Sequence, residues 1–178
     1  MCHFITATLA AEDGRSAVAI VAARFGRVWE PLENPYVTAQ LRRGEQYFLT
    51  TRGHCDCGTG LGAARRSPSL DRQIQKLKRK GWSSAKIERS LADKAGARKK
   101  KQAARRVQSD CWEQIIPSIL VEAGVRHVGP LLHWYSGNLA SERIEIVRQE
   151  RVPAAQISAE FLSQIEEDVL YEFANSVA

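Results

Sequence analysis

Apolar positions in the first fifty residues follow the two spacings that distinguish strands from helices. Residues 3–9 carry β-branched and apolar side chains on both alternating sets of positions, which is typical of a central strand. Residues 12–25 instead repeat apolar side chains every three or four positions, and Gly26 follows as a helix stop. Two further strands are predicted over 27–32 and 46–51, with a loop between them.

The middle of the chain, residues 65–108, has few apolar positions. Leu70, Ile74 and Leu77 form one narrow apolar stripe, which predicts a helix. A Gly-Trp-Ser-Ser sequence then separates this helix from a second one, which either serine can cap. Residues 97–106 have almost nothing to bury, so they form either an exposed helix or a partly disordered segment.

The last third alternates again between helical and strand patterns. A helix is predicted before Gly124, followed by a strand over 125–135 and its hairpin partner over 142–152. Ser158 is expected to cap a final helix, whose exposed side is rich in acids. Its buried side repeats every four residues, at Phe161, Ile165, Val169 and Phe173.

The order of elements, β-α-β-β-α-β-β-α, predicts the fold class. Antiparallel strands mixed with helices favour an α+β domain with an antiparallel or mixed sheet. The nearest simple template is a ferredoxin-like, split β-α-β core. We therefore expect a single domain over residues 1–178, with an enlarged basic helical insert at 65–108.

Charge is strongly segregated along the chain. The overall net charge is +6, but residues 65–106 hold 16 Lys and Arg against three acids, a net charge of +13 that leaves −7 elsewhere. Such a segment suits a nucleic acid or an acidic protein, although it can equally be a solvated face or pack on acids of the same chain. The candidate anion-binding residues are Arg72, Lys76, Lys78, Arg79, Lys80, Lys86, Lys99, Lys100, Lys101, Arg105 and Arg106.

Composition predicts a cytoplasmic protein with no membrane partner. No apolar run approaches the roughly 18–20 residues that cross a bilayer. The N-terminus has neither a basic leader nor a long apolar segment, so it does not resemble a signal peptide. Four cysteines in 178 residues are too few for a disulfide framework. Clustered thiols in a reducing compartment more often bind metal or react.

The most distinctive segment, residues 53–60, reads Gly-His-Cys-Asp-Cys-Gly-Thr-Gly. It follows the third predicted strand, which in a split β-α-β sheet is the antiparallel neighbour of the first strand. The segment would then lie beside the Cys-His pair that begins the chain. Three thiolates and one imidazole complete the tetrahedral set that zinc prefers. The predicted ligands are Cys2, His54, Cys55 and Cys57.

Two neighbouring residues have secondary roles in this hypothesis. His3 is the competitor of His54 for the fourth position, although side chains alternate along a strand and Cys2 and His3 would face opposite ways. Asp56 is expected to orient a ligating imidazole. The function predicted from the sequence is a small zinc-binding regulatory or binding protein with a basic helical surface.

Other readings of the cysteines remain open. The spacing is Cys-x-Cys rather than the usual two-to-four-residue knuckle, and soft ligands also suit Cu(I) or an iron–sulfur centre. Alternatively, the chain is an enzyme in which His54 activates Cys55 or Cys57 in the 53–60 loop. If Met1 were removed, Cys2 would become an N-terminal nucleophile. The thiols can also simply be buried in a tight turn.

Overall fold

The computed structural model describes residues 2–51, 53, 55–63, 70–93, 96 and 112–175. Six strands form one mixed sheet in the order β2-β3-β1-β4-β6-β5. The strands are β1 Cys2–Ala10, β2 Glu30–Pro31, β3 Glu45–Leu49, β4 His127–Tyr135, β5 Arg148–Pro153 and β6 Val169–Ala174. The helices are α1 Arg15–Arg24, α2 Pro35–Thr38, α3 Leu70–Arg79, α4 (residues 84–93), α5 Trp112–Glu122 and α6 Ala159–Gln164.

Strand β1 lies in the middle of the sheet, as its two apolar faces predicted. It pairs antiparallel with β3 on one side and with β4 on the other. Six consecutive residues of β1, 5–10, are buried. The close approach of β1 and β4 needs Gly129, because a Cβ there would lie 2.3 Å from the Thr8 hydroxyl oxygen. The α+β class and the antiparallel neighbours β1 and β3 are therefore confirmed.

The two faces of the sheet are covered differently. One face packs on α1, α5 and α6, and its core includes Ile5, Leu9, Trp112 and Ile119. The other face carries a smaller cluster that includes Val37 of α2. Burying a large apolar side chain contributes about 1.5–3 kcal/mol, so the helical face supplies most of the apolar stabilisation.

Residues 142–152 do not form the predicted hairpin with β4. Only β5 is a strand, and it pairs parallel with β6. The preceding segment is held by two side-chain amides instead of a neighbouring strand. Asn34 donates to the Leu139 and Glu142 carbonyls, both at 2.9 Å, and Gln40 donates to the Ile144 carbonyl at 2.7 Å. The alternate apolar residues Ile144 and Ile146 therefore belong to the cluster that includes Val37 of α2 and do not mark a strand paired with β4.

The predicted C-terminal helix is wrong beyond its first turns. Ser158 does cap α6 by accepting a hydrogen bond from the Phe161 amide at 3.1 Å. The helix ends at Gln164, however, and β6 begins at Val169 between β4 and β5. All but the last residue of β6 are buried, and the β-branched and aromatic side chains there suit an interior strand. Within the described C-terminal residues, up to 175, the predicted long acidic helix is therefore not formed.

The loop predicted over 32–44 contains α2, and the strand predicted over 27–32 is reduced to β2. Asn34 caps α2 by accepting from the Tyr36 and Val37 amides, and Pro35 fills the first helical position. These two residues are a helix start signal. The sequence predicted a loop instead, because Asn and Pro are also common in turns.

The described part of the basic segment is helical. Leu77 and Ile87 are buried, whereas Lys78, Arg79, Lys80 and Lys86 are exposed. Within the parts of the chain that the structure describes, no helix has the length and apolarity to cross a membrane. Several of the predicted anion-binding residues lie outside the described residues: Lys99, Lys100, Lys101, Arg105 and Arg106. The side chains of Arg72 and Lys76 also lie outside the description.

Candidate metal centre

The chain that follows β3 runs beside the first residues of β1. β3 ends with Leu49 opposite Thr6. Beyond that point, the Thr50 hydroxyl donates to the Ile5 carbonyl at 2.6 Å. The Asp56 amide then donates to the His3 carbonyl at 2.7 Å. Backbone groups of β1 that β3 leaves unpaired are thus satisfied by this segment, which brings it to the N-terminal end of β1.

Asp56 fixes the segment in place. Its carboxylate accepts from the Ile5 amide at 2.8 Å, from the Thr51 hydroxyl, and from the Arg27 guanidinium at 2.5 Å. The Asp56 and Arg27 side chains are 5% and 9% exposed, and Arg27 stacks 5.0 Å from the Trp112 ring. The two cysteines that flank Asp56 are therefore attached to a buried ion pair.

Cys2, Cys55 and Cys57 meet at this end of the sheet. Their sulfur atoms all lie within 4.8 Å of one another, and all three are free thiols. Sulfur atoms bound to one tetrahedral zinc at about 2.3 Å are roughly 3.8 Å apart, so a small contraction accommodates an ion. The three cysteines lie close enough to hold a metal ion.

Backbone amides point at two of the sulfurs. The His3 amide donates to the Cys57 sulfur at 3.4 Å. A hydrogen bond from the Cys57 amide lowers the pKa of the Cys55 thiol. Cys2 donates in turn to Cys55, which, together with burial, raises the pKa of Cys2. Such amides offset the negative charge that accumulates when several thiolates share one ion.

Two histidines, His3 and His54, were candidates for the fourth ligand. His3 is buried, with its Nε2 2.6 Å from the Glu167 carboxylate and its ring edge-on to Trp134. His54 lies outside the described residues, so its predicted ligand role is neither supported nor opposed. Gly53 has φ +100°, a backbone conformation that only glycine adopts readily. The described partners of the Asp56 carboxylate are Ile5, Thr51 and Arg27.

Sequence reasoning missed a second polar cluster, at the other end of the sheet. Glu45, His127 and Glu172 project from β3, β4 and β6, with one ligand atom of each within 4.8 Å of the others. The Arg42 guanidinium lies among them and contacts both carboxylates. The position that a cation would take is therefore filled by Arg42. No sequence motif predicts this cluster, because its members are up to 127 positions apart in the sequence.

His133 has its ring edge-on to Tyr135, with the ring centroids 4.6 Å apart. Its Nδ1 is 2.5 Å from the Asp168 carboxylate. Asp168 has φ +61° in the turn between α6 and β6. The pair therefore fastens that turn to β4 on the face opposite to α1 and α5.

No protein-family model matches the chain, and neither the curated proteins nor the solved structures that were compared with it give a match.

Proposed function

We propose that the chain is a small zinc-binding protein in which Cys2, Cys55 and Cys57 are ligands and His54 is the fourth. The observation that supports it is the convergence of three sulfurs from two segments about fifty residues apart. A three-cysteine, one-histidine set is a common closed zinc site, whose role is structural. The free thiols suit a reducing compartment such as the cytoplasm.

In this proposal the metal ties the start of β1 to the segment after β3. Without it, that attachment depends on Asp56 and on a few hydrogen bonds to His3 and Ile5. Zinc sites of this kind contribute folding free energy directly, on the order of 10–16 kcal/mol of apparent binding in peptides at pH 7. Because the thiols must lose protons to bind, zinc affinity should fall with falling pH.

Elemental analysis tests the proposal. Tag-free protein from zinc-replete cells should carry about one zinc per chain. Cys55→Ser should lose it, and Cys111→Ser, which removes a cysteine that the proposal does not use, should retain it. Well under one equivalent of any transition metal in the unmodified protein would refute the zinc site. Iron or copper in its place would keep the ligands and change the metal.

The alternative is an enzyme that uses Cys55 and Cys57 with His54. Cys57 is exposed and Cys55 is half-buried, so both are within reach of a small substrate. The two functions differ in thiol reactivity. Metal-bound thiols should resist iodoacetamide until a chelator is added, whereas a catalytic thiol should react rapidly at neutral pH without one.

The proposal includes a polyanion or an acidic protein as the partner of the basic helices. Lys78, Arg79, Lys80 and Lys86 are exposed around the α3–α4 turn, and Lys86 lies 4.5 Å above the Trp82 ring. Binding that neutralises six phosphates should show a slope of about −5 in log K against log salt on duplex DNA. Binding to neither DNA nor RNA at low salt would exclude the nucleic acid and leave the acidic protein.

We also propose that the first four strands are a ferredoxin-like, split β-α-β core and that residues 65–108 are an insert in one domain. Antiparallel pairing in the order β2-β3-β1-β4, with α1 and α5 packed together on one face, supports this assignment. A variant in which a short glycine linker replaces residues 65–108 should remain folded and keep its zinc. Loss of folding would show that the segment is part of the core.

A further inference from the structure

A cleft of about 1110 Å³ opens at the end of the sheet that is remote from the cysteines. Cys2 and Ala10 are the two ends of β1, which separates the cleft from the cysteines by roughly 26 Å at 3.3 Å per residue. The volume is that of a site for a small molecule. Its charged lining consists of Glu12, Arg42, Arg43, Glu45, Arg126 and Arg151, with His127 beside them.

The cleft is built around Arg42. Glu45 accepts from Arg42 Nε at 3.2 Å and from Nη2 at 2.7 Å, and Glu172 accepts from the same Nη2. The two glutamate side chains are only 4% and 5% exposed, and His127 Nε2 lies 3.1 Å from Glu45. Carboxylates this deeply buried need a cation, and here they fix the guanidinium in one orientation.

This orientation leaves the Nη1 nitrogen of Arg42 available. Of the five N–H donors of a guanidinium, the contacts to Glu45 and Glu172 engage those on Nε and Nη2. Among the described residues, Nη1 makes no hydrogen bond, although the Arg42 side chain is 45% exposed and lines the cleft. The N–H groups of Nη1 can each donate to one oxygen of a carboxylate or phosphate group.

Two more arginines on the wall have little to neutralise them. Within the described residues, Arg43 forms no ion pair, and the one ion pair of Arg151 is 3.9 Å from Glu172. Arg126 is different, because it is paired with Glu12 and Asp13. Four carboxylates, Glu12, Asp13, Glu45 and Glu172, contact arginines of this wall, but among the described residues Arg43 pairs with none of them and Arg151 only at 3.9 Å. Positive charge that is not neutralised locally attracts oxyanions to this part of the cleft.

We propose that this cleft binds a small molecule with two or more oxyanion groups, phosphate or carboxylate. Arg42 donates to one group through Nη1, and Arg43 and Arg151 donate to another. A divalent metal is not required, because Arg42 already occupies the cation position between Glu45 and Glu172. The cleft does not depend on the zinc proposal, because no cysteine lines it.

Isothermal titration of the full-length protein with inorganic pyrophosphate and with citrate, at constant ionic strength set by chloride, tests this inference. We expect saturable binding of at least one anion, and the tighter of the two identifies the group as phosphate or carboxylate. Arg43→Ala combined with Arg151→Ala should weaken binding at least tenfold. Arg148 lies on β5 like Arg151, but it is paired with Glu150 and Glu166. Arg148→Ala should therefore leave the affinity for the anion unchanged.

A second control separates the cleft from the basic helices. Lys78→Ala combined with Lys80→Ala should bind both anions like the unmodified protein. The inference is overturned if neither anion binds at millimolar concentration, or if the Arg43/Arg151 variant, folded by circular dichroism, binds as tightly as the unmodified protein.

Discussion

Replacing Asp56 by Asn tests how much the buried Arg27–Asp56 ion pair stabilises the fold around Cys55 and Cys57. The substitution keeps the shape of the side chain but removes its charge, and it turns one acceptor into an NH₂ group. That group would face donors, since the carboxylate accepts from Ile5, Thr51 and Arg27. Both members of the ion pair are less than 10% exposed. Removing one partner of a buried pair costs about 3–5 kcal/mol.

This cost is a large part of the roughly 5–15 kcal/mol that stabilises a typical domain. Urea unfolding followed by circular dichroism, with zinc in excess, measures it. With a denaturant dependence of about 2 kcal/mol per M, the midpoint of Asp56→Asn should fall by about 1.5–2.5 M. Glu122→Gln is the matched control, because its ion pair with Arg24 is exposed. Its midpoint should remain within error of the unmodified protein.

A shift of less than about 0.5 M for Asp56→Asn would refute the reasoning, because it corresponds to under about 1 kcal/mol. The Arg27–Asp56 pair would then be hydrated in solution. If the midpoint falls by the expected amount but the zinc content is unchanged, Asp56 stabilises the fold without being needed for metal binding.

Three further results are expected. Burial raises the pKa of Glu45, but hydrogen bonds from His127 and Arg42 outweigh burial, so the pKa in the folded protein is lowered. The ionised Glu45 therefore stabilises the fold at pH values above its pKa in the unfolded chain, and this stabilisation is lost as the pH falls through its pKa in the folded protein. Glu45→Gln should make the urea midpoint of unfolding depend less on pH in the acid range. Burial raises the pKa of Tyr47 well above its usual value; because the chain has four tyrosines, its absorbance at 295 nm is compared with that of Tyr47→Phe, and the difference should appear only where alkaline unfolding occurs, whereas a difference in folded protein near pH 10 would contradict this. Asn34→Ala removes the α2 cap and the bonds to the 139–142 segment; it should lower the unfolding midpoint and speed hydrogen exchange there, and unchanged exchange would contradict the assigned role.

The sequence predicted the elements whose pattern has one interpretation. β1 has apolar residues on both faces and is central, and α5 buries Trp112 and Ile119 at helical spacing. The meeting of Cys2 with Cys55 and Cys57 followed from one topological premise, that β1 and β3 are antiparallel neighbours. Local pattern and nearest-neighbour pairing were sufficient for these features.

Other features depend on contacts that no local pattern encodes. Apolar residues every four positions from Phe161 to Phe173 fit a helix, but residues four apart also lie on the same face of a strand. The position of residues 169–174 between β4 and β5, where they are buried, makes this part of the segment a strand. Asp56 was predicted to orient a ligating imidazole because it adjoins the cysteines, and this role stays a prediction, since His54 lies outside the described residues. The buried partner of Asp56, Arg27, is 29 residues away and gives no sign in the sequence that it is buried.

X-ray absorption at the metal edge of purified, tag-free protein tests the central claim most directly. The proposed site predicts three sulfur ligands at about 2.3 Å and one nitrogen ligand at about 2.0–2.1 Å around zinc. His54→Ala should remove the nitrogen contribution and keep the three sulfurs. A metal surrounded by oxygen and nitrogen alone, or by fewer than three sulfurs, would contradict a zinc site built on Cys2, Cys55 and Cys57.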